Sequence, residues 1–202
     1  MLKKSLKDAI QDRRSYYRIG GGSTISDEKI QSVIEFAVRH SPSAFNSQSA
    51  RVVLLLGKNH KKLWELVKNE LKKISRSEEA FKATEDKINA SFLAGHGTAL
   101  FFEDQSVVKN LQAKFPSYKD NFPVWSEHSS AINQVLTWIA LESEGLGASL
   151  QHYNPLIDKA VQQEWNINPE WKLVAQMPFG EIRGQAQEKT FEPLENRVLV
   201  FK

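Results

Sequence analysis

The 202-residue sequence contains no cysteine. That excludes disulfides, thiolate metal sites and thiol nucleophiles, so any redox chemistry must ride on a bound cofactor. Long hydrophobic runs are also missing. The longest, at 52–56 (VVLLL) and 98–102 (TALFF), fall far short of the roughly 20 residues that span a bilayer, so no membrane partner is expected. Neither sign of charge dominates, with 27 Lys and Arg against 24 Asp and Glu and a formal net charge of +3. So small an excess does not by itself mark a polyanion binder. The five His form no H-E-x-x-H pair and no cluster, and neither a G-x-S-x-G elbow nor a G-x-x-x-x-G-K-[ST] loop occurs. A metal centre, a serine hydrolase and a P-loop nucleotide site are therefore not expected. The opening MLKKSLKDAIQDRRS is basic but has no apolar stretch followed by small residues, so a cytoplasmic protein is the expectation.

What is present is ordinary globular composition, 41% hydrophobic with ten Gly and seven Pro. Leu2, Leu6 and Ile10 at four-residue spacing predict a helix over 2–11. The glycines at 20–22 predict an irregular, mobile loop. Ser26 followed by Asp27 and Glu28 reads as a helix cap, and Ile30, Val33, Ile34, Ala37 and Val38 continue an apolar face to about His40. Residues 51–57 (RVVLLLG) predict a buried strand, and 98–103 a second one. Between them, 58–76 is an amphipathic helix rich in Lys, and 77–94 another helix. The polar face of 58–76 reads as solvated and not as a nucleic-acid ridge, since Trp64 is its only aromatic residue. Residues 115–126, with their aromatic rings and prolines, predict a loop or short helices. A long helix over 127–144, buried through Ala131, Ile132, Val135, Leu136, Ile139 and Ala140, should stop at Gly145 and enter a tight loop. A helix over 155–165, a strand over 171–177 and an extended stretch at 197–201 complete one α+β domain over 1–202.

Three segments carry candidate chemistry. Arg13, Arg14 and Ser15 place two planar bidentate donors and a hydroxyl beside the glycine loop, which suits a phosphate or equally a solvated basic turn. Ser41, Pro42, Ser43, Asn46 and Gln48 lie in a loop before the first strand. Its two amides can donate and accept at once, as the edge of a heterocycle demands, although capping alone would also explain them. The third, GLGASLQ at 145–151, lacks the final glycine of a dinucleotide fingerprint and follows a helix where that motif follows a strand.

In this order, nearly end to end, the segments resemble the FMN-dependent nitroreductase family. DRRSYYRI is similar to the family's Arg-rich N-terminal motif and SPSAFNSQSARVVLL to its P-S-x-x-N-x-Q signature. The wording of WSEHSSAINQVLTWIALESEGLGASLQHYNP and QMPFGEI resembles the branch named for a fungal fatty-acid-repression protein. The resemblance implies a mostly antiparallel central sheet flanked by helices, and a homodimer with a domain-swapped C-terminal extension and FMN at the subunit interface. Arg13, Arg14 and Ser15, with Tyr17 nearby and Lys189 or Arg197 from the C-terminal segment, would hold the FMN phosphate. Asn46 and Gln48, with Ser41, Pro42 and Ser43, would meet the pyrimidine edge from the other subunit. Backbone amides of Ser149, Leu150 and Gln151 would face the ring nitrogen that receives hydride. Donors at the pyrimidine edge would favour reduction, because reduction adds negative charge there.

The implied activity is ping-pong hydride transfer from NADH or NADPH to a nitroaromatic or quinone-type acceptor, in detoxification or oxidative stress, with no side chain acting as acid or base. Phe115, Tyr118, Phe122 and Trp125 would wall the acceptor site. A flavin-binding regulatory or storage dimer with little turnover is the alternative. Many members carry an acidic residue in a P-x-E-G-F loop where this chain reads Ser149-Leu150-Gln151-His152, so their substrate preference does not transfer. The chain is short for the family, so a reduced lid over 103–125 and an open site are expected.

Overall fold

The computed structural model describes residues 4–202. Leu2, the expected start of the first helix, lies outside them. The helix α1 runs Leu6–Asp12, with Ser5 capping it through the Asp8 amide at 3.2 Å. Next come β1 (Ile19–Gly20) and α2 (Asp27–His40), the latter capped by Ser26 as its sequence predicts. Then follow β2 (Ala50–Leu56), α3 (Gly57–Ile74), α4 (Glu78–Ile88) with a π turn over Asn89–Leu93, and β3 (Gly97–Asp104). The second half holds α5 (Gln105–Lys114), α6 (Phe122–Ser143), β4 (Leu146–Ala148), α7 (Asp158–Glu164) and β5 (Trp171–Ile182).

The sheet has the order β1-β5-β3-β2, with β4 also on β5, and every pairing is antiparallel. The run ALFF at 99–102 in β3 is apolar at each position because both faces of the sheet are covered. Ala99 and Phe101 face Ile30, Ile34, Trp138 and Leu141 of α2 and α6. Leu100 and Phe102 face Leu63, Trp64, Val67 and Phe92 on the other side. The period-2 alternation of a strand thus divides one hydrophobic run between two cores.

Several expectations are corrected. Gly20 belongs to β1, and Leu146–Ala148 is a strand, not a loop. Both elements are too short to show a periodic pattern, and both exist because β5 offers them an edge. β5 continues through Pro178 to Ile182, five residues beyond the predicted end. The helix α5 occupies much of the expected lid, and α6 starts at Phe122, where Pro123 suits the first turn.

The largest correction concerns the faces of α6. Ser126, Ser129, Ser130, Asn133, Gln134 and Thr137 are buried against the sheet. The expected core residues Ala131, Ile132 and Val135 are exposed, Val135 at 41%. Leu6, Ile10 and Phe36 extend that apolar surface over α1 and α2. Four of the six lysines of α3 are paired with acids, Lys68 with Glu65 at 2.9 Å, Lys73 with Glu70 at 2.6 Å, Lys72 with Glu78 at 3.4 Å, and Lys62 with Glu164 of α7.

Candidate functional site

At the C-terminal end of α6, Arg13 and Arg14 follow directly on α1. The Arg13 guanidinium lies over the Trp138 ring, 4.5 Å from its centroid, a cation–π contact. Lys4 bonds both Asp12 at 3.0 Å and the buried Glu142 at 2.7 Å. Burial pushes the Glu142 carboxyl up, and the Lys4 bond pulls it back. With these two acids served by Lys4, the arginines keep charge for another anion. Both line an open cleft of about 1030 Å³ that also receives Lys4, Tyr16, Gln187, Glu188, Lys189 and Phe191. Arg14 donates to the Gln187 carbonyl, so the start of the C-terminal segment is tied to this cleft. Lys189 therefore joins the two arginines, whereas Arg197 does not line the cleft.

Ser15 forms a parallel bridge with Ala148, and the Tyr16 amide bonds the Ala148 carbonyl at 2.9 Å. The expected phosphate motif and the segment at 149–151 are thereby neighbours. The amides of Ser149 and Gln151 are bonded to the Pro178 and Gln176 carbonyls of β5, at 3.2 and 2.7 Å. Strand alternation turns the Leu150 amide the other way, so of the three it is the one positioned to face a ligand. Tyr17 is partly exposed, with its ring 6.2 Å from Phe92.

At the opposite end of α6 lies the loop 41–49. Ser41 donates to Ala37 O at 2.8 Å as α2 ends, and Ser43 accepts from the Gln48 amide at 2.9 Å. Phe45, Asn46 and Gln48 all adopt left-handed backbone, with φ of 57, 52 and 49°. Such angles in non-glycine residues are strained and persist only where neighbours hold them. The Asn46 and Gln48 side chains are exposed, and Gln48 Nε2 donates to Asn46 O at 3.5 Å.

Phe45 joins all four expected wall residues. Its ring centroid lies 5.0 Å from Phe115, 5.9 Å from Tyr118, 5.3 Å from Phe122 and 5.9 Å from Trp125, stacked on the last at 19°. Pro42, Ser43, Phe45, Trp125, His128 and Ile132 line a cleft of about 420 Å³ there. Phe45 itself was not singled out, although its place inside the P-S-x-x-N-x-Q segment was a usable signal.

Sequence reasoning also missed the groups that anchor this loop. Glu103 Oε2 accepts from Ser49 and Ser126, both at 2.6 Å. Arg51 donates to Gln48 O at 2.7 Å and pairs with Asp104 at 3.0 Å. Burial pushes the Glu103 carboxyl up, while the two serine bonds pull it down. Two acids closing the otherwise apolar run TALFF were the available clue. Among the described residues no three His, Asp or Glu side chains gather as a metal site.

One cleft offers cations for a phosphate, and the other offers amides and flat rings for an aromatic heterocycle. Their chemistry defines a protein suited to a flat, phosphorylated cofactor on an α+β scaffold. The profile of the nitroreductase family matches residues 10–181. Of curated proteins, HBN1 of Saccharomyces cerevisiae is 35% identical over 193 residues, 94% of this chain and 93% of that one. The nitroreductase FRM2 of the same yeast is 31% identical over 186 residues, 91% of each. The solved nitroreductase CinD from Lactococcus lactis, in complex with nicotinic acid, superposes with a TM-score of 0.90 at 49% identity, covering 98% of this chain and 100% of that one. CinD has also been solved with 4-nitrophenol and with chloramphenicol. A protein of the same fold from Desulfovibrio desulfuricans, 17% identical with a TM-score of 0.68, was solved with FMN. The chain belongs to the nitroreductase family.

Proposed function

We propose that the protein is a homodimeric FMN-dependent oxidoreductase that uses NADH or NADPH to reduce nitroaromatic or quinone-type acceptors. The observation that carries this reading is the separation of the two clefts along α6. At about 1.5 Å per residue, the thirteen positions from Trp125 to Trp138 place them roughly 20 Å apart. One chain cannot close both around a single cofactor. Two copies packed through the exposed apolar face of α6, with the helices crossing, would bring the arginine end of one subunit to the amide loop of the other. That exposed face and the exposed residues Phe191, Leu194, Val198 and Phe201 give a second copy something to cover.

The donor set fits FMN. Arg13, Arg14, Ser15 and Lys189 would hold the phosphate, joined by Arg197 from a C-terminal segment reaching across. The partner's loop would offer Asn46 and Gln48 to the pyrimidine edge, with Ser41, Pro42 and Ser43 along the ring. The Leu150 amide would donate to the ring nitrogen, and Phe45 with Trp125 would stack a flat acceptor and exclude water. Bound FMN would supply the redox chemistry, two-electron exchange between NAD(P)H and the acceptor, with these residues binding and orienting it. The ligands of CinD, 4-nitrophenol and chloramphenicol among them, support an aromatic acceptor of this kind.

The test is direct. The purified protein should be a yellow dimer whose flavin is bleached anaerobically by NADH or NADPH and recovers on adding 4-nitrophenol. A colourless protein that gains no stability from FMN overturns the reading. A yellow dimer that neither nucleotide bleaches would be a flavin store and not a reductase.

A further inference from the structure

We infer that Glu103 is a positioning residue for the acceptor cleft, tying the loop that carries Phe45 to the helix start that carries Trp125. The inference rests on the proposed reading of that cleft as the acceptor site.

Glu103 sits one residue from the end of β3 and is 0% exposed. Its neighbours along the strand are Phe102 and Asp104, with Phe101 next on its own face, and an aliphatic side chain would occupy the position without desolvating a charge. The carboxyl is therefore unfavourable for folding alone, and its bonds show what it holds. Ser49 and Ser126 both donate to the single oxygen Oε2, each at 2.6 Å, the short range of charge-assisted hydroxyl bonds. Ser49 follows Gln48 directly, at the end of the strained loop. Ser126 follows Trp125 directly, in the first turns of α6. One atom thus joins the two walls of the cleft.

The other anchors of the loop do something different. The Asp104 amide bonds Ser49 O at 2.9 Å, and Arg51 links Gln48 O to Asp104. These fix the end of the loop to β3, and none of them reaches α6. The seating of Phe45 on α6, and with it the shape of the wall offered to a flat acceptor, is left to the Glu103 bridge and the packing of the Phe45 ring on Phe122 and Trp125.

Two substitutions test this with flavin held saturating. Glu103→Gln keeps an oxygen that can accept from both serines. Glu103→Leu removes the acceptor and leaves the buried Ser49 and Ser126 hydroxyls without it, so unfolding is measured alongside to separate a general loss of stability from local loosening. In Glu103→Leu, hydrogen exchange should quicken in the segments 41–49 and 119–127 but not in α3. KM for 4-nitrophenol should rise about tenfold with kcat changed less than about twofold, and Glu103→Gln should restore both. Unchanged exchange and KM in Glu103→Leu overturn the inference. So does loosening of both segments without a change in KM, or a general rise in exchange that Glu103→Gln fails to reverse. A wild-type protein without flavin or turnover overturns the functional reading instead. Glu103 is then judged by exchange and by 4-nitrophenol binding read from tryptophan quenching, which must weaken in the Leu variant and recover in the Gln variant.

Discussion

Arg14 and His60 show how a single side chain is set by its surroundings. Arg14 stands in the cationic cleft with a free edge beyond its bond to Gln187 O. Under the proposed function, Arg14→Ala removes a charge-assisted phosphate contact worth roughly 1.5–3 kcal/mol, so FMN affinity should fall about ten- to a hundredfold in a fluorescence titration. An unchanged affinity would place the phosphate elsewhere. His60 is buried between Thr98 Oγ1 at 2.9 Å and Leu93 O at 3.2 Å, and Trp64 Nε1 donates to the same threonine oxygen at 3.0 Å. Burial holds its pKa down to about 4. The unfolded chain, with the ordinary value near 6.5, therefore takes up the proton first as pH falls. The contribution of neutral His60 is complete above pH 6.5 and is lost progressively towards pH 4, about 3 kcal/mol in all. Glu103 and Glu142, whose carboxyls are pushed up, act in the opposite sense over the acid range. The measurement is therefore a comparison of urea unfolding between pH 7 and 4.5 for wild type and His60→Gln. The variant should lose less stability over that interval, and identical slopes would count against the assignment.

Among the elements, α6 connects fold and function. Through its middle, from Ser126 to Thr137, its buried stripe is polar and its exposed stripe carries Ala131, Ile132 and Val135, the reverse of what a helix on the surface of a lone chain presents. Part of the buried stripe bonds within itself and to β3, with Gln134 donating to Ser130 at 3.0 Å and Ser126 to Glu103, while the Asn133 side-chain amide and the Thr137 hydroxyl are buried without a partner among the described residues. If the apolar stripe packs on a second copy, Val135→Glu should give a folded monomer. Light scattering should show half the wild-type mass, flavin should be lost, and the far-ultraviolet circular dichroism should be preserved. A dimer that survives this change would move the interface off α6.

At the scale of the whole molecule, the two cores and the sheet are complete before the C-terminal segment begins. Residues 188–202 are exposed along their whole length. A chain ending at Glu188 should therefore keep its helical content and, without flavin, a melting temperature within a few degrees of wild type. It should bind FMN more than tenfold more weakly and dimerise less tightly, because Lys189 and the apolar residues after it are gone. A stable, flavin-loaded dimer of the shortened chain would show that the segment neither crosses over nor completes the site.

Local signals determined much of this protein. The apolar periodicity of 30–38, the Ser26 cap, the aliphatic run at 52–56 and the stop at Gly145 each act within a few residues, so α2, β2, β3 and the end of α6 were legible. The motifs were legible too, since Arg13-Arg14-Ser15 and the loop 41–48 need only their order to be read. The tertiary structure decided the rest. β1 and β4 are two and three residues long and exist only through the edge that β5 offers. Which stripe of α6 is buried depends on the surface it meets, and Glu103 was one acid at the end of a strand until the fold set Ser49 and Ser126 against it. The separation of the two clefts likewise follows from the length of α6. Periodicity is a property of neighbouring residues, whereas burial, and the spacing of groups distant in the chain, are properties of the partners that packing brings together.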